Sequence, residues 1–428
     1  MRYRTHRYDK PSVLPKAFSY AAIRGQEFSL VLNCTQSNAL NALEKEVLMN
    51  IPERFLNNQT FDTCALGFNR QLIPNYTPDP FAHVEKPLAT EVLPDGRVKL
   101  HFFAPKAHRV TAGHEDTWVE LEMDSSGLWS GLLPYDEPGF KQLAFLVDGV
   151  KVINPIAPIG YGSGEAINYV DVPDPDCEFL LMRDMPHGTV SMEYFTSSVT
   201  GETECCYVYT PPHYRDDLTQ DYPVLYLQHG GGENEICWVH LGKVNMILDN
   251  LLADGKCKPF IVVMNNVMMQ VKKNGRCEED VYSFGDMLIK DCIPFIEGAY
   301  RVRPGKFNRA IAGLSLGSLL SAKIVMEHYD LFGAAGLFTG YTWPIMPGRP
   351  RMVQPWIDVL KNAEVFNREV PLFFGAIGDR EVSLPLFEEE RVFCREQGIH
   401  YIQKIYPGTH EWRVWRAAAH DFFQMLFK

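Results

Sequence analysis

The stretch RAIAGLSLGSLL, residues 309–320, decides how this chain is read. A short apolar run ends at Gly313, Ser315 follows after one residue, and Gly317 opens a helical pattern. The spacing predicts a strand, a tight turn and a helix, with the Ser315 hydroxyl held at the turn. Glycine on either side lets the backbone turn sharply and lets strand and helix pack closely. A helix starting at Leu316 favours negative charge developing beside it. Such a setting suits a nucleophile, but the motif is short and the rest of the chain has to bear on it.

The chain has 428 residues, too many for one ordinary core, so two or three domains are expected. Apolar content of 46% and charged content of 22% are those of a globular protein without low-complexity tracts. A net charge of -12 and the lack of a basic cluster interleaved with aromatics exclude nucleic acid as a partner. No run of uninterrupted apolar residues is long enough to span a bilayer, so no membrane association is expected. The basic N-terminus lacks the apolar centre of a signal peptide. A cytoplasmic location with reduced thiols is therefore expected; the ten cysteines are scattered and only Cys205 and Cys206 are close in sequence. The sequons at Asn33, Asn58 and Asn75 carry no meaning without secretion.

Residues 1–85 form an N-terminal extension of unclear role, with a strand expected at 26–33 and an amphipathic helix at 39–49. From about 91 to 172 short alternating strands follow one another (VKLHFFAP, VTAGH, WVELEMD, LWSGLLP, QLAFLVDG, KVIN), separated by turn residues, which predicts an all-β sandwich over 86–175. Trp118 and Trp129 there could stack on a sugar, although Trp129 sits at an alternating core position. Residues 172–186, with prolines and acids, read as a linker. Beyond it a hairpin at 190–195 and 204–209 precedes continuous apolar runs alternating with helical patterns: 223–230, 259–266, 309–313, 334–340, 371–378 and 400–408. That rhythm predicts a mostly parallel sheet covered on both faces, over residues 186–428. The fold class expected is α/β, with an all-β module in front of it.

A serine hydroxyl needs a base and a carboxylate that orients the base. In a fold of the α/β-hydrolase kind, these follow the serine in the order acid, then histidine. Asp379 directly follows the run PLFFGAIG, with Glu381 as a rival two residues on. His410 follows IYPGT after the last strand; His400 opens that strand and His420 lies within the final helix. Asp379 and His410 are the preferred partners of Ser315. Two backbone N–H groups for an oxyanion are expected at Leu316 and at Gly231, the latter in QHGGGENEICW. His229 is read as buttressing that loop. Gly230, Trp238 and Trp412 are candidates for contact with substrate. The methionines of MNNVMMQ could line a pocket but read better as a strand end. The pair His410–Glu411 is not a zinc HExxH motif, since position 414 is valine, and neither a metal nor a cofactor is expected.

The motifs YLQHGGGENEICW, FIVVMNN, IEGAYRV, RAIAGLSLGS, FFGAIGD and YPGTHEWRVWR, in that order, resemble the esterase D family, which includes carbohydrate esterases of the feruloyl and acetyl-xylan type and the enterochelin esterases. The resemblance covers roughly 185–428. FFAPKAHRV, GLWSGLLP and LVDGVKVINP resemble the immunoglobulin-like early-set module that precedes many such enzymes. Many members have Met where this chain has Leu316. The resemblance implies a serine carboxylesterase with the triad Ser315, Asp379 and His410, acting on feruloyl or acetyl esters of cell-wall saccharides. A siderophore-ester hydrolase is the second reading. The third, from another class, is a non-catalytic glycan-binding protein. The expected partner is a small-molecule or oligosaccharide ester, and the extension leaves room for a homo-oligomer contact.

Overall fold

A computed structural model describes residues 50–56, 90–114, 117–134, 137–155, 157–216, 218–273, 275–340 and 358–428. The elements expected at 26–33 and 39–49 lie outside these residues. The described residues all belong to one compact unit.

Its C-terminal part is built on an eight-stranded sheet in the order β11-β12-β14-β13-β17-β18-β19-β20. These strands are β11 Thr189–Thr196, β12 Thr203–Thr210, β13 Val224–Gln228, β14 Ile261–Asn265, β17 Arg309–Leu314, β18 Ala334–Phe338, β19 Leu372–Gly378 and β20 Tyr401–Tyr406. β11 and β12 are antiparallel to their neighbours, and every pairing from β14 to β20 is parallel. The central strands are buried along their whole length, because side chains alternate between two cores. Val224, Tyr226, Val263 and Ile311 face one, packed by the helix Leu316–Glu327 and the segment Phe284–Ala299. Leu225, Leu227, Val262 and Ala310 face the other, covered by the helices Val244–Ala253 and Trp412–Phe423. Burial on both faces is why these strands read as unbroken apolar runs.

Residues 90–172 form two antiparallel sheets sharing one core. One runs, in order across the sheet, β1 Thr90–Val92, β2 Val98–Phe103, β6 Leu128–Leu133 and β5 Glu122–Met123. The other runs β4 Thr117–Glu120, β3 Val110–His114, β7 Gly139–Val147, β10 Glu165–Val172 and β9 Ile159–Gly162, with β8 Val150–Val152 on β7. Trp129 is buried there and donates its indole N–H to the Ala104 carbonyl at 2.9 Å, the core role favoured by its position. Three strands lie outside the runs read from the sequence, β1 Thr90–Val92, β9 Ile159–Gly162 and β10 Glu165–Val172. The segment read as a linker is docked: Asn250 donates to the Phe179 and Leu181 carbonyls at 2.9 Å each, and Phe179 stacks on His420.

Ion pairs tie the sandwich to the α/β part. Arg416, 1% exposed, donates to Asp171 at 2.9 Å and to the Leu241 carbonyl at 2.7 Å, and Lys243 meets Asp171 at 2.8 Å. Burial alone would raise the Asp171 carboxyl, but Arg416 and Lys243 outweigh it and hold the group well below its ordinary value. Arg413 reaches Asp174 at 3.1 Å, and Arg380 makes a forked contact with Glu137, one arm at 2.8 Å. Among the described residues no helix is long and apolar enough to cross a membrane, and the eight described cysteines are free thiols.

Candidate active site

β17 ends at Leu314 and a helix begins at Leu316, so Ser315 alone makes the turn. Its φ of 50° and ψ of -117° lie outside the helical and extended regions, a conformation that stores roughly 1–3 kcal/mol. The surroundings enforce it. Ser315 N–H donates to the Phe338 carbonyl on β18 at 2.9 Å. A Cβ at Gly317 would lie 2.3 Å from the His229 carbonyl oxygen, and one at Gly313 would lie 2.5 Å from the Gly317 carbonyl carbon. Both flanking positions therefore need glycine for close approach.

The loop after β20 brings His410 over the turn, with Nε2 at 2.9 Å from Ser315 Oγ. Its Nδ1 lies 2.8 Å from Oε1 of Glu381. The preference for Asp379 is thus corrected by geometry. Asp379 directly follows β19, and its carboxylate turns to the backbone, accepting the Gly408 N–H at 2.9 Å. It stays half exposed, whereas Glu381, on a side chain one methylene longer, is 7% exposed beneath the imidazole. Ser383 Oγ donates to the same Glu381 oxygen at 3.1 Å. With Nδ1–H donated to Glu381, Nε2 is the ring nitrogen left to accept the serine proton. The ring's other support is Trp415, edge-on at 5.1 Å, whose indole N–H is held by Thr339 at 2.8 Å.

The glycine loop after β13 is held on several sides. His229 is buried; burial depresses its pKa to about 4, so the ring is neutral. Val267 N–H reaches Nε2 at 3.0 Å, which places the proton on Nδ1 and lets it donate to the Gly230 carbonyl at 2.8 Å. Gly230 C=O and Gly231 N–H belong to one trans peptide, so fixing the carbonyl aims the Gly231 N–H the opposite way. The buttress role expected of His229 is seen. Gly230 N–H is consumed by the Glu233 carboxylate at 2.8 Å. Burial raises the Glu233 pKa to about 7, against the pull of Gly230, the Trp412 indole and His410. No described residue accepts from Gly231 N–H. Leu316 begins its helix, so its N–H lacks an intrahelical partner.

Ser315, His410, Gly230, Gly231, Trp412 and Trp415 all open on one cleft of about 790 Å³, a volume ordinary for a small-molecule site. Sandwich residues form its far wall, among them Phe140, Lys141, Gly162 and Ser163. Trp238 is not there. It is fully buried, with its indole N–H on the Gln228 carbonyl at 2.9 Å and its ring edge-on to Trp412, so it belongs to the core and not to a substrate surface. Met264 and Met269 are likewise core residues away from the cleft. Glu233 was missed by sequence reading, since nothing in QHGGGENEICW shows that this acid folds back under the loop.

A parallel sheet crossed by a serine turn, with a histidine and a carboxylate from the next loops, defines an esterase-type α/β-hydrolase. The esterase family profile matches residues 197–426, and the chain belongs to that family. It is 33% identical over 316 residues to an endo-1,4-beta-xylanase/feruloyl esterase of Xylanibacter ruminicola, covering 72% of this chain and 41% of that protein. It is 27% identical over 299 residues to endo-1,4-beta-xylanase Y of Acetivibrio thermocellus, covering 64% of this chain and 26% of that one. The chain thus spans less than half the length of these curated relatives. Among solved structures, the enterobactin esterase of Shigella flexneri superposes with a TM-score of 0.56 at 14% identity, over 77% of this chain and 93% of that one. A CE1 ferulic acid esterase of Anaeromyces mucronatus gives 0.50 at 23% identity, over 59% of this chain and 96% of that one. These two likenesses speak for the fold.

Proposed function

We propose that the chain is a serine carboxylic ester hydrolase working through an acyl-enzyme, with feruloyl or acetyl esters of plant cell-wall saccharides as its substrate class. The observation that carries the reading is the contact of His410 Nε2 with Ser315 Oγ at 2.9 Å, in a cleft able to hold an ester. Ser315 Oγ attacks the ester carbonyl carbon as its proton passes to Nε2. Glu381 stabilises the imidazolium and holds the ring's orientation. The oxyanion is met by the N–H groups of Leu316 and Gly231. Collapse breaks the bond to the alcohol, which takes the proton from His410. Water then attacks the acyl-enzyme by the same route and releases the acid.

The aromatic wall of the cleft, Phe140, Trp412 and Trp415, suits a flat aromatic acyl group, and the similarity to a xylanase/feruloyl esterase points to the same class. A ferric siderophore, as a trianion, would call for unpaired cations. The three arginines near the site are engaged instead: Arg380 by Glu137, Arg413 by Asp174 and Arg416 by Asp171. That favours the saccharide ester over the siderophore. The early-set immunoglobulin-like assignment of the sandwich belongs to the same proposal.

The test is hydrolysis of methyl ferulate, acetylated xylo-oligosaccharide and enterobactin by wild type and Ser315→Ala. Methyl ferulate or the acetylated saccharide is expected to be preferred, with kcat lost on the order of 10⁶-fold in the variant. A preference for enterobactin would reverse the ranking, and a variant retaining more than about a hundredth of wild-type turnover would remove Ser315 from the mechanism.

A further inference from the structure

The loop that carries Gly231 is tied not only to its own domain but to the tip of a sandwich hairpin. β9 and β10 pair with Gly162 opposite Glu165, leaving Ser163 and Gly164 as a two-residue turn. Both have positive φ, 55° and 80°, as a type I′ turn requires. Such a turn uses the N–H of its fourth residue, so the N–H of Gly164 is free to leave the hairpin. It donates to the Gly232 carbonyl at 2.9 Å. Two further contacts lie on the same line: Cys237 Sγ donates to the Tyr161 carbonyl at 3.4 Å, and a Cβ on Gly160 would lie 2.7 Å from a Leu241 methyl.

We propose that the β9–β10 hairpin is a positioning element of the oxyanion hole. His229 and Glu233 hold the loop at Gly230, and the Gly164 N–H holds it at Gly232. Gly231 stands between the two fixed points, and its N–H is the one left to face the reacting carbonyl. The sandwich then acts on the rate of acyl transfer and not on substrate affinity alone. This rests on Ser315 being the nucleophile, so the variants are read only in a preparation whose methyl ferulate hydrolysis Ser315→Ala abolishes; activity that survives that substitution would overturn the catalytic reading and this one with it.

The direct test replaces the Gly164 amide by an ester, with glycolate at position 164 of the full chain, which puts an oxygen where the N–H stood and leaves every side chain unchanged. The expected result is a kcat lower by at least about tenfold with KM within about threefold, and a parallel loss of affinity for a boronic acid that mimics the tetrahedral intermediate. A second test needs no backbone chemistry. Gly232→Ala puts a Cβ 2.7 Å from Gly164 N, whereas Gly201→Ala meets nothing within 4 Å; their φ values, 74° and 75°, carry the same strain. Gly232→Ala is expected to lose kcat by more than about tenfold and Gly201→Ala to stay near wild type. A glycolate variant within about twofold of wild-type kcat, or equal kcat in the two alanine variants, would overturn the proposal.

Discussion

At the residue scale, two carboxylates two positions apart were rivals for one imidazole. The sequence could place both after β19, where the fold gathers its chemistry, but not their direction. Direction is set by the turn: Asp379 is drawn to the Gly408 N–H, which leaves Glu381 to reach under His410. Glu381→Gln should lower kcat by roughly 10⁴-fold, the scale seen when a triad acid loses its charge. Asp379→Asn should change it by less than about tenfold, since it weakens only a backbone contact and an exposed ion pair with Arg380 at 4.0 Å, neither of which touches His410. Steady-state kinetics on methyl ferulate checks both, and the opposite ordering would restore Asp379. Ser315 and His410 were legible because an elbow between glycines and a histidine after the last strand are fixed by chain order alone.

At the scale of elements, the glycine loop carries two buried titratable groups with opposed effects. Glu233, raised to about 7 from an unfolded value of 4.5, stabilises the fold at low pH and loses that contribution as pH rises through 7. His229, depressed to about 4 from 6.5, contributes fully above pH 6.5 and loses its share as pH falls through 4. Between about pH 4.5 and 6.5 the two slopes oppose each other. Glu233→Gln should therefore unmask the histidine, with unfolding free energy rising by up to about 1.4 kcal/mol per pH unit more steeply than in wild type over that window. Denaturant titrations at pH 5 and pH 6.5 measure it; parallel slopes would show that Glu233 titrates normally. The loop itself was readable from its glycines, but its underside was not. Trp238 misled for the same reason: spacing places an indole near a loop but not on its outer or inner side. Its removal to Ala should cost about 3–5 kcal/mol by chemical denaturation, as for any large buried aromatic.

At the scale of the molecule, the sheet was legible because burial on both faces writes itself as apolar runs, whereas β9 and β10 were hidden in a glycine-rich segment with weak alternation. Hidden too was the junction they create. Arg416 lies in the final helix but pairs with Asp171 at the end of β10. Arg416→Ala leaves that buried carboxylate with Lys243 alone and should cost about 3–5 kcal/mol. A loss below about 1 kcal/mol in equilibrium unfolding would mean the junction tolerates water. Through this junction the sandwich is set against the cleft, so fold and reaction are linked. In the proposed mechanism Ser315 carries the acyl group between alcohol and water. Acid quench within one turnover of methyl ferulate, followed by intact and peptide mass analysis, tests it most directly. A population heavier by one feruloyl group, located on Ser315, is expected; turnover with no such adduct, or an adduct on another residue, would rule out Ser315 as the acyl carrier.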